Sequence, residues 1–169
     1  LLWVLAALLA VTAVGLGVRA MRAMHGPALQ PWHTHVPVEL TVQQLEASDW
    51  QGYLAQERAM FDDIRANVTQ QLEPDARVAY NRYFEGSPVY PGRFAQDWNR
   101  SYVLEPSGPP KGAVVLLHGL TDSPYSLRHV ARRYADRGFV AIGIRLPGHG
   151  TVPAGLTDVR WEDWSAATR

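Results

Sequence analysis

Two short apolar runs, Gly112-Ala113-Val114-Val115-Leu116-Leu117 and Phe139-Val140-Ala141-Ile142-Gly143-Ile144, constrain this chain more than any other feature in it. Each is a continuous aliphatic and β-branched stretch without the polar alternation of a half-solvated strand, so each is expected to be a strand covered on both faces. Between them Leu127, Val130, Ala131 and Tyr134 share one helical face, and Gly138 stands where a helix would stop. Strand, helix, strand with short loops is a βαβ unit, for which a right-handed crossover is expected. The first strand ends in His118-Gly119-Leu120-Thr121-Asp122-Ser123-Pro124 and the second in Arg145-Leu146-Pro147-Gly148-His149-Gly150.

Upstream the signals are helical. Ser48-Asp49-Trp50-Gln51 reads as a capping box with Ser48 at the N-cap and Gln51 at N3. Trp50, Tyr53, Leu54, Met60, Phe61, Ile64, Val68 and Leu72 then repeat at helical spacing until Pro74, which predicts one amphipathic helix over 49–72. Its aromatic stripe is packing surface, and the domain, a bilayer or a partner helix would each suit it. Ala76 to Phe84 is expected to form a second short helix. Phe94 to Trp98 and Ser101 to Leu104 alternate like strands before the turn at Pro106–Pro110.

The chain begins with an uncharged stretch, Leu1 to Val18, long enough as a helix (about 27 Å) to approach the ~30 Å of a hydrocarbon layer. Trp3 suits a headgroup position at one end, and Arg19, Arg22 and His25 close the other. A single-pass, uncleaved N-terminal anchor in a lipid bilayer is the expectation. A signal peptide and a buried core helix are the alternatives, and no small-x-small cleavage site precedes the arginines. The side of the membrane stays open, because charges before Leu1 would also count. Pro27, Pro31 and Pro37 mark an extended linker. His33 and His35 lie there without acidic or cysteine partners, so no metal is expected.

Composition removes several function classes. Sixteen Lys and Arg balance sixteen Asp and Glu, which gives no basic footprint for nucleic acid. No cysteine is present, so thiolate chemistry and disulfides are excluded. The glycines at 148, 150 and 155 do not fit a dinucleotide fingerprint, and no phosphate-binding P-loop pattern occurs.

Taken together, LLHGLTDSPYS, RLPGHG and Trp161-Glu162-Asp163-Trp164 resemble the N-terminal half of α/β-hydrolases of the carboxylesterase and monoacylglycerol-lipase-like group, a pattern shared by serine-aminopeptidase-like hydrolases. The resemblance covers Lys111 to Arg169 well, Arg93 to Pro110 loosely, and residues 1–92 not at all. It implies an α/β fold, and with the upstream readings the chain is expected to hold the N-terminal half of an α/β-hydrolase sheet preceded by a transmembrane helix and a long amphipathic helix. The corresponding organisation is an anchor at 1–19, a linker at 20–40, a helical preamble at 41–92 and a partial hydrolase domain at 93–169. The resemblance further implies that the loop of His118 and Gly119 forms part of an oxyanion hole whose donor is the backbone N–H of Leu120. Gly119 would allow close approach of substrate. His118, His149 and Asp122 are implied to organise the loops, and Trp161 and Trp164 to pack.

The nucleophile of such a fold sits in G-x-S-x-G. None of Ser48, Ser87, Ser101, Ser107, Ser123, Ser126 or Ser165 has glycine two positions before and after it. Nucleophile, acid and base are therefore expected beyond Arg169, in a longer protein of which this is a fragment without turnover of its own. The implied substrate is a small-molecule acyl ester, and no cofactor is required. A second expectation, from a different class, is a truncated, non-catalytic, membrane-tethered interaction module that uses helix 49–72 as its contact surface.

Overall fold

The computed structural model describes residues 2–26 and 28–169. Leu1, at the head of the apolar run, and Pro27, one of the linker prolines, lie outside the described residues.

Helix α1 spans Leu2–Met24, and all of it is exposed. Length and composition alone make it able to cross a membrane, and a signal sequence meets the same test.

The segment after α1 is less extended than its prolines imply. Pro31–Thr34 forms a single helical turn, α2, with proline at its start. Trp32 stacks on Tyr83 at 5.4 Å, and His35 Nε2 lies 2.6 Å from Asp63 Oδ2. These contacts draw the expected linker onto the domain. Helix α3, Val42–Ala47, opens on a capping box in which Thr41 receives the Gln44 N–H and Gln44 reaches back to the Thr41 N–H.

Helix α4 covers Trp50–Asn67, shorter than the periodicity predicts. Its N-cap is Asp49, whose Oδ1 accepts the Gly52 N–H at 2.8 Å. Ser48 instead closes α3, its hydroxyl donating to Gln44 O. At the other end Val68 is the C-cap, its N–H still on Ile64 O, and a 3-10 turn at Thr69–Gln71 completes the approach to Pro74. Val68 and Leu72 are still fully buried, so the apolar spacing is honoured by a tighter turn rather than by α-helix.

Residues 76–100 form turns where the sequence predicts a helix and a strand. Asn81 is the reason in the first stretch: its amide donates to Ala76 O and its Oδ1 accepts the Tyr83 N–H, replacing helical bonds. In the second, Asp97 Oδ1 accepts the Asn99 N–H and turns the chain, leaving Phe94 exposed.

The sheet has three strands in the order β1–β3–β2 among the described residues. Strand β1, Tyr102–Leu104, runs antiparallel to β3, Val140–Ile144, and β2, Ala113–Leu117, runs parallel to it. After a 3-10 turn at Pro124–Leu127, helix α5, Arg128–Ala135, links β2 to β3. It ends in a Schellman arrangement around Gly138, at φ +93°, with Phe139 N–H on Tyr134 O and Gly138 N–H on Ala135 O. Ala131 and Ala135, rather than Val130 and Tyr134, form its buried face.

Strand β3 is central and covered. Strand β2 is not: Val115 and Leu117 are 53% and 52% exposed. Only one face of β2 is covered, where Val114 and Leu116 pack on Tyr102, Ala131 and Ala141. No described element covers the other face, so the expectation of two buried faces does not hold within this chain.

Helices α3 and α4 close the other side of the core. Leu45 and Tyr53 pack with Ile144, Leu146 and Ala166 of the last helix, α6, Trp161–Ala167. Ile64 and Val68 pack with Val152 and Ala154. The apolar face of α4 is thus occupied by its own domain.

Candidate functional site: the loops after β2 and β3

The two parallel strands end side by side, and their loops interlock. His118 is buried, with Nε2 accepting the Leu146 N–H at 3.1 Å and Nδ1 facing Gly119 O at 3.0 Å. An acceptor at Nε2 assigns the proton to Nδ1, which donates to Gly119 O. Burial lowers the pKa of His118, and the neighbouring His149 adds to that, so the ring stays neutral. Both ring nitrogens are engaged within the loops.

His149 works in the opposite direction. Its Nε2 lies 2.8 Å from Leu120 O and its Nδ1 2.9 Å from Pro147 O. The two imidazoles are 4.8 Å apart, and Trp164 meets the His149 ring edge-on at 5.5 Å while its Nε1 donates to Pro147 O. Trp161, by contrast, is exposed.

Leu120 itself points outward, with 62% of the residue exposed. Its carbonyl is held by His149, and its N–H finds no acceptor among the described residues. A backbone N–H without an acceptor, in an exposed residue on a loop contacted at its carbonyl, is a hydrogen-bond donor still to be satisfied. Gly119 has an ordinary backbone conformation and nothing within 4 Å of the place a Cβ would occupy. Its lack of a side chain is demanded by no neighbour in this chain. Asp122 accepts the Ser123 N–H and the Ser126 hydroxyl, which lower its pKa, the hydroxyl bond contributing most.

Beneath these loops lies a cluster that no local sequence pattern discloses. Arg145, whose side chain is 2% exposed, forms a two-pronged pair with Glu39, Nη1 to Oε1 and Nη2 to Oε2, each at 2.8 Å. Its Nε donates to Glu57 Oε2 at 3.2 Å. Glu57 also accepts the Ser101 N–H and hydroxyl, and that hydroxyl in turn accepts the Arg145 N–H. The Tyr53 hydroxyl donates to Arg145 O, and burial raises its pKa. Burial opposes the charge on Arg145, but the hydrogen bonds and charge of Glu39 outweigh it, so its pKa is raised. Glu57 falls in register with Tyr53, Met60 and Ile64 on α4, and a glutamate on an apolar stripe is the one available signal.

A cleft of about 720 Å³ opens beside the Ser123 turn, walled by Phe94, Trp98, Asn99, Tyr125 and Arg128. Asn99 Oδ1 accepts the Ser123 hydroxyl at 3.0 Å, which joins that wall to the loop after β2. Its size is that of a small-molecule site.

Comparison with known proteins finds lipolytic enzymes similar to part of this chain. Over 54 residues the chain is 39% identical to a thermostable monoacylglycerol lipase of Bacillus sp. (strain H-257), a match that covers 32% of this chain and 22% of that protein. The chain therefore spans about a fifth of the length of the curated relative it matches. A solved structure from work on two metagenome-derived lipolytic enzymes, LipS and LipT, aligns over 41% of this chain and 27% of its own at 31% identity, with a TM-score of 0.38. No family model matches the chain. The 54-residue match supports a lipolytic hydrolase-like relationship over about a third of this chain.

Proposed function

We propose that this chain is the N-terminal part of a membrane-anchored serine hydrolase of the carboxylesterase and lipase type, which cleaves carboxylic (acyl) esters. The observation that carries this reading is the Leu120 N–H, without an acceptor among the described residues, in an exposed residue on a loop contacted by His118 and His149. When a serine oxygen adds to an ester carbonyl, the carbonyl oxygen takes up negative charge. A preorganised backbone donor stabilises that charge more than it stabilises the ground state. Collapse expels the alcohol, and water then releases the acyl group as the acid. Leu120 N–H is the donor in this scheme, and His118 and Gly119 shape its loop. Serine, acid and base come from sequence outside residues 1–169, since no G-x-S-x-G occurs here.

Helix α1 serves as the anchor in this proposal and the bilayer as its partner. An enzyme held at a membrane meets esters that partition there, and a monoacylglycerol or a lysophospholipid fits that location. Equal rates on soluble and membrane-partitioned esters would remove the support for this choice. The alternative of a tethered, non-catalytic module needs the face of α4 as its contact surface. Tyr53, Glu57, Met60 and Ile64 on that face are buried against the domain.

The decisive experiment is labelling of the complete gene product with a fluorophosphonate probe, followed by mapping of the modified residue. A labelled serine within G-x-S-x-G downstream of Arg169 is the expected result. An unlabelled complete product, or an in-frame stop within a few codons of Arg169, would overturn the assignment.

A further inference from the structure

One carboxylate from the segment beyond α1 is built into the loop behind Leu120. Glu39 Oε1 and Oε2 each accept from Arg145 at 2.8 Å, and Oε1 also accepts the Gly148 N–H at 2.7 Å. Arg145 Nη1 extends the line to the carbonyls of Leu146 and His149, at 3.2 Å each. The His149 ring then meets Leu120 O at 2.8 Å. With the ring proton on Nε2, His149 donates to Leu120 O, so hydrogen bonds and the backbone of residues 145–149 together join Glu39 to Leu120.

Charge balance does not require Glu39. Glu57 alone neutralises Arg145, with Nε at 3.2 Å from its Oε2, and a second carboxylate leaves the buried cluster with net negative charge. What Glu39 adds is geometry. Its planar fork orients the guanidinium so that Nη1 reaches His149 O, and it captures the N–H of Gly148, which sits at φ +80° in the bend of the loop.

We propose that Glu39 is a positioning residue for Leu120, so that docking of the segment after α1 onto loop 145–149 sets the competence of the oxyanion loop. This rests on the reading of Leu120 as oxyanion donor. With Glu39 detached, Arg145 keeps Glu57, but Gly148 N–H and the orientation of the guanidinium are released. The His149 carbonyl then loses its fixed partner, and the Leu120 loop loses its brace. A donor that matters only once charge has developed affects kcat rather than KM.

The test uses the complete gene product in nanodiscs, comparing the wild type with Glu39→Gln and Glu39→Asp. Hydrogen exchange is read over residues 117–122 and 145–150, against 140–144 as control. Kinetics are read on a soluble p-nitrophenyl ester. Glu39→Gln is expected to speed exchange in both loops while leaving 140–144 protected. It should lower kcat on the order of 100-fold with KM changed by less than about twofold, and Glu39→Asp should recover part of the loss. Unchanged exchange over 117–122, or a general rise that includes 140–144 in both variants, would overturn the proposal. In the wild type alone, residues 36–41 and 117–122 should open together, and independent opening rates would also overturn it. A wild-type protein without esterase activity defeats the catalytic reading instead, while the exchange data still decide whether Glu39 positions the loop.

Discussion

The imidazole of His149 meets the carbonyl of Leu120 at 2.8 Å, across a gap of twenty-nine positions in sequence. The loop after β3 thereby braces the loop after β2, and the unpaired N–H of Leu120 is oriented from the opposite side of its own residue. A donor held in this way depends on backbone placement and hardly on its side chain.

Leu120→Ala in the complete protein is therefore expected to keep kcat within a few-fold, because the N–H survives. Leu120→Pro removes the donor, and a loss of about 10²–10³ in kcat is expected, near the 2.7–4 kcal/mol ascribed to one oxyanion donor. Steady-state kinetics with thermal melts for both variants checks this. Equal loss in the two would rule out a role for the N–H.

Arg145 is the most exacting position in the core. Arg145→Ala leaves Glu39 and Glu57 without their cation, and a stability loss of about 3–5 kcal/mol is expected from such a break. Arg145→Lys should restore little, since an ammonium cannot reproduce the fork to Glu39 while also reaching Glu57. Urea unfolding followed by tryptophan fluorescence measures both.

Stability should fall on mild acidification. The unfolded chain protonates His118 near its ordinary value of about 6.5, whereas the buried ring resists protonation, so its native pKa is the lower one. The unfolded state then binds more protons below about pH 6.5. Stability is full above that value and declines as pH drops toward the native pKa. His118→Gln should flatten the profile just below about pH 6.5. The carboxyl of Asp122 also has a lowered pKa, and its contribution disappears only in a separate window, below about pH 3.9. Melting temperature against pH for the two proteins distinguishes these windows.

Gly148→Ala should destabilise the loop after β3 by about 1–3 kcal/mol. The residue holds φ +80°, and a Cβ there would lie 2.8 Å from Gly155 O and from Val159 Cγ2. Thermal denaturation reads the loss, and an unchanged melting temperature would contradict this account of the bend.

Residues 93–169 alone are expected to aggregate. Val115 and Leu117 already face solvent, and removal of residues 39 and 57 strips Arg145 of both carboxylates. A monomeric, cooperatively unfolding fragment, seen by sedimentation and denaturation, would refute the expectation.

The βαβ unit is legible in the sequence because strand and helix patterns there agree with the contacts each element makes: Leu116 and Ala141 face one cluster, and Gly138 caps α5. Where local side chains compete for backbone bonds, patterning misleads. Asn81 and Asp97 divert their segments into turns, and Asp49 displaces Ser48 as the cap of α4. The apolar run of β2 overstates its burial, because such a run records what a strand could be covered by, not what covers it in this chain. The Thr41 and Gln44 spacing that caps α3 is a local signal of the same kind as the one at Ser48, and it is the one the backbone uses. Of the ion cluster, only Glu57 on the apolar stripe of α4 leaves such a signal. Glu39 and Arg145 are 106 positions apart, and no local pattern pairs residues at that distance.

That separation also orders events during synthesis. Glu39 and Glu57 leave the ribosome long before Arg145, and until it emerges α4 carries a carboxylate on the face it must bury. A contact so remote in sequence closes late and slowly. The N-terminal helices therefore lack their packing partners until residues 144–166 are made, and the same late stretch delivers both the arginine and the apolar side chains that cover them.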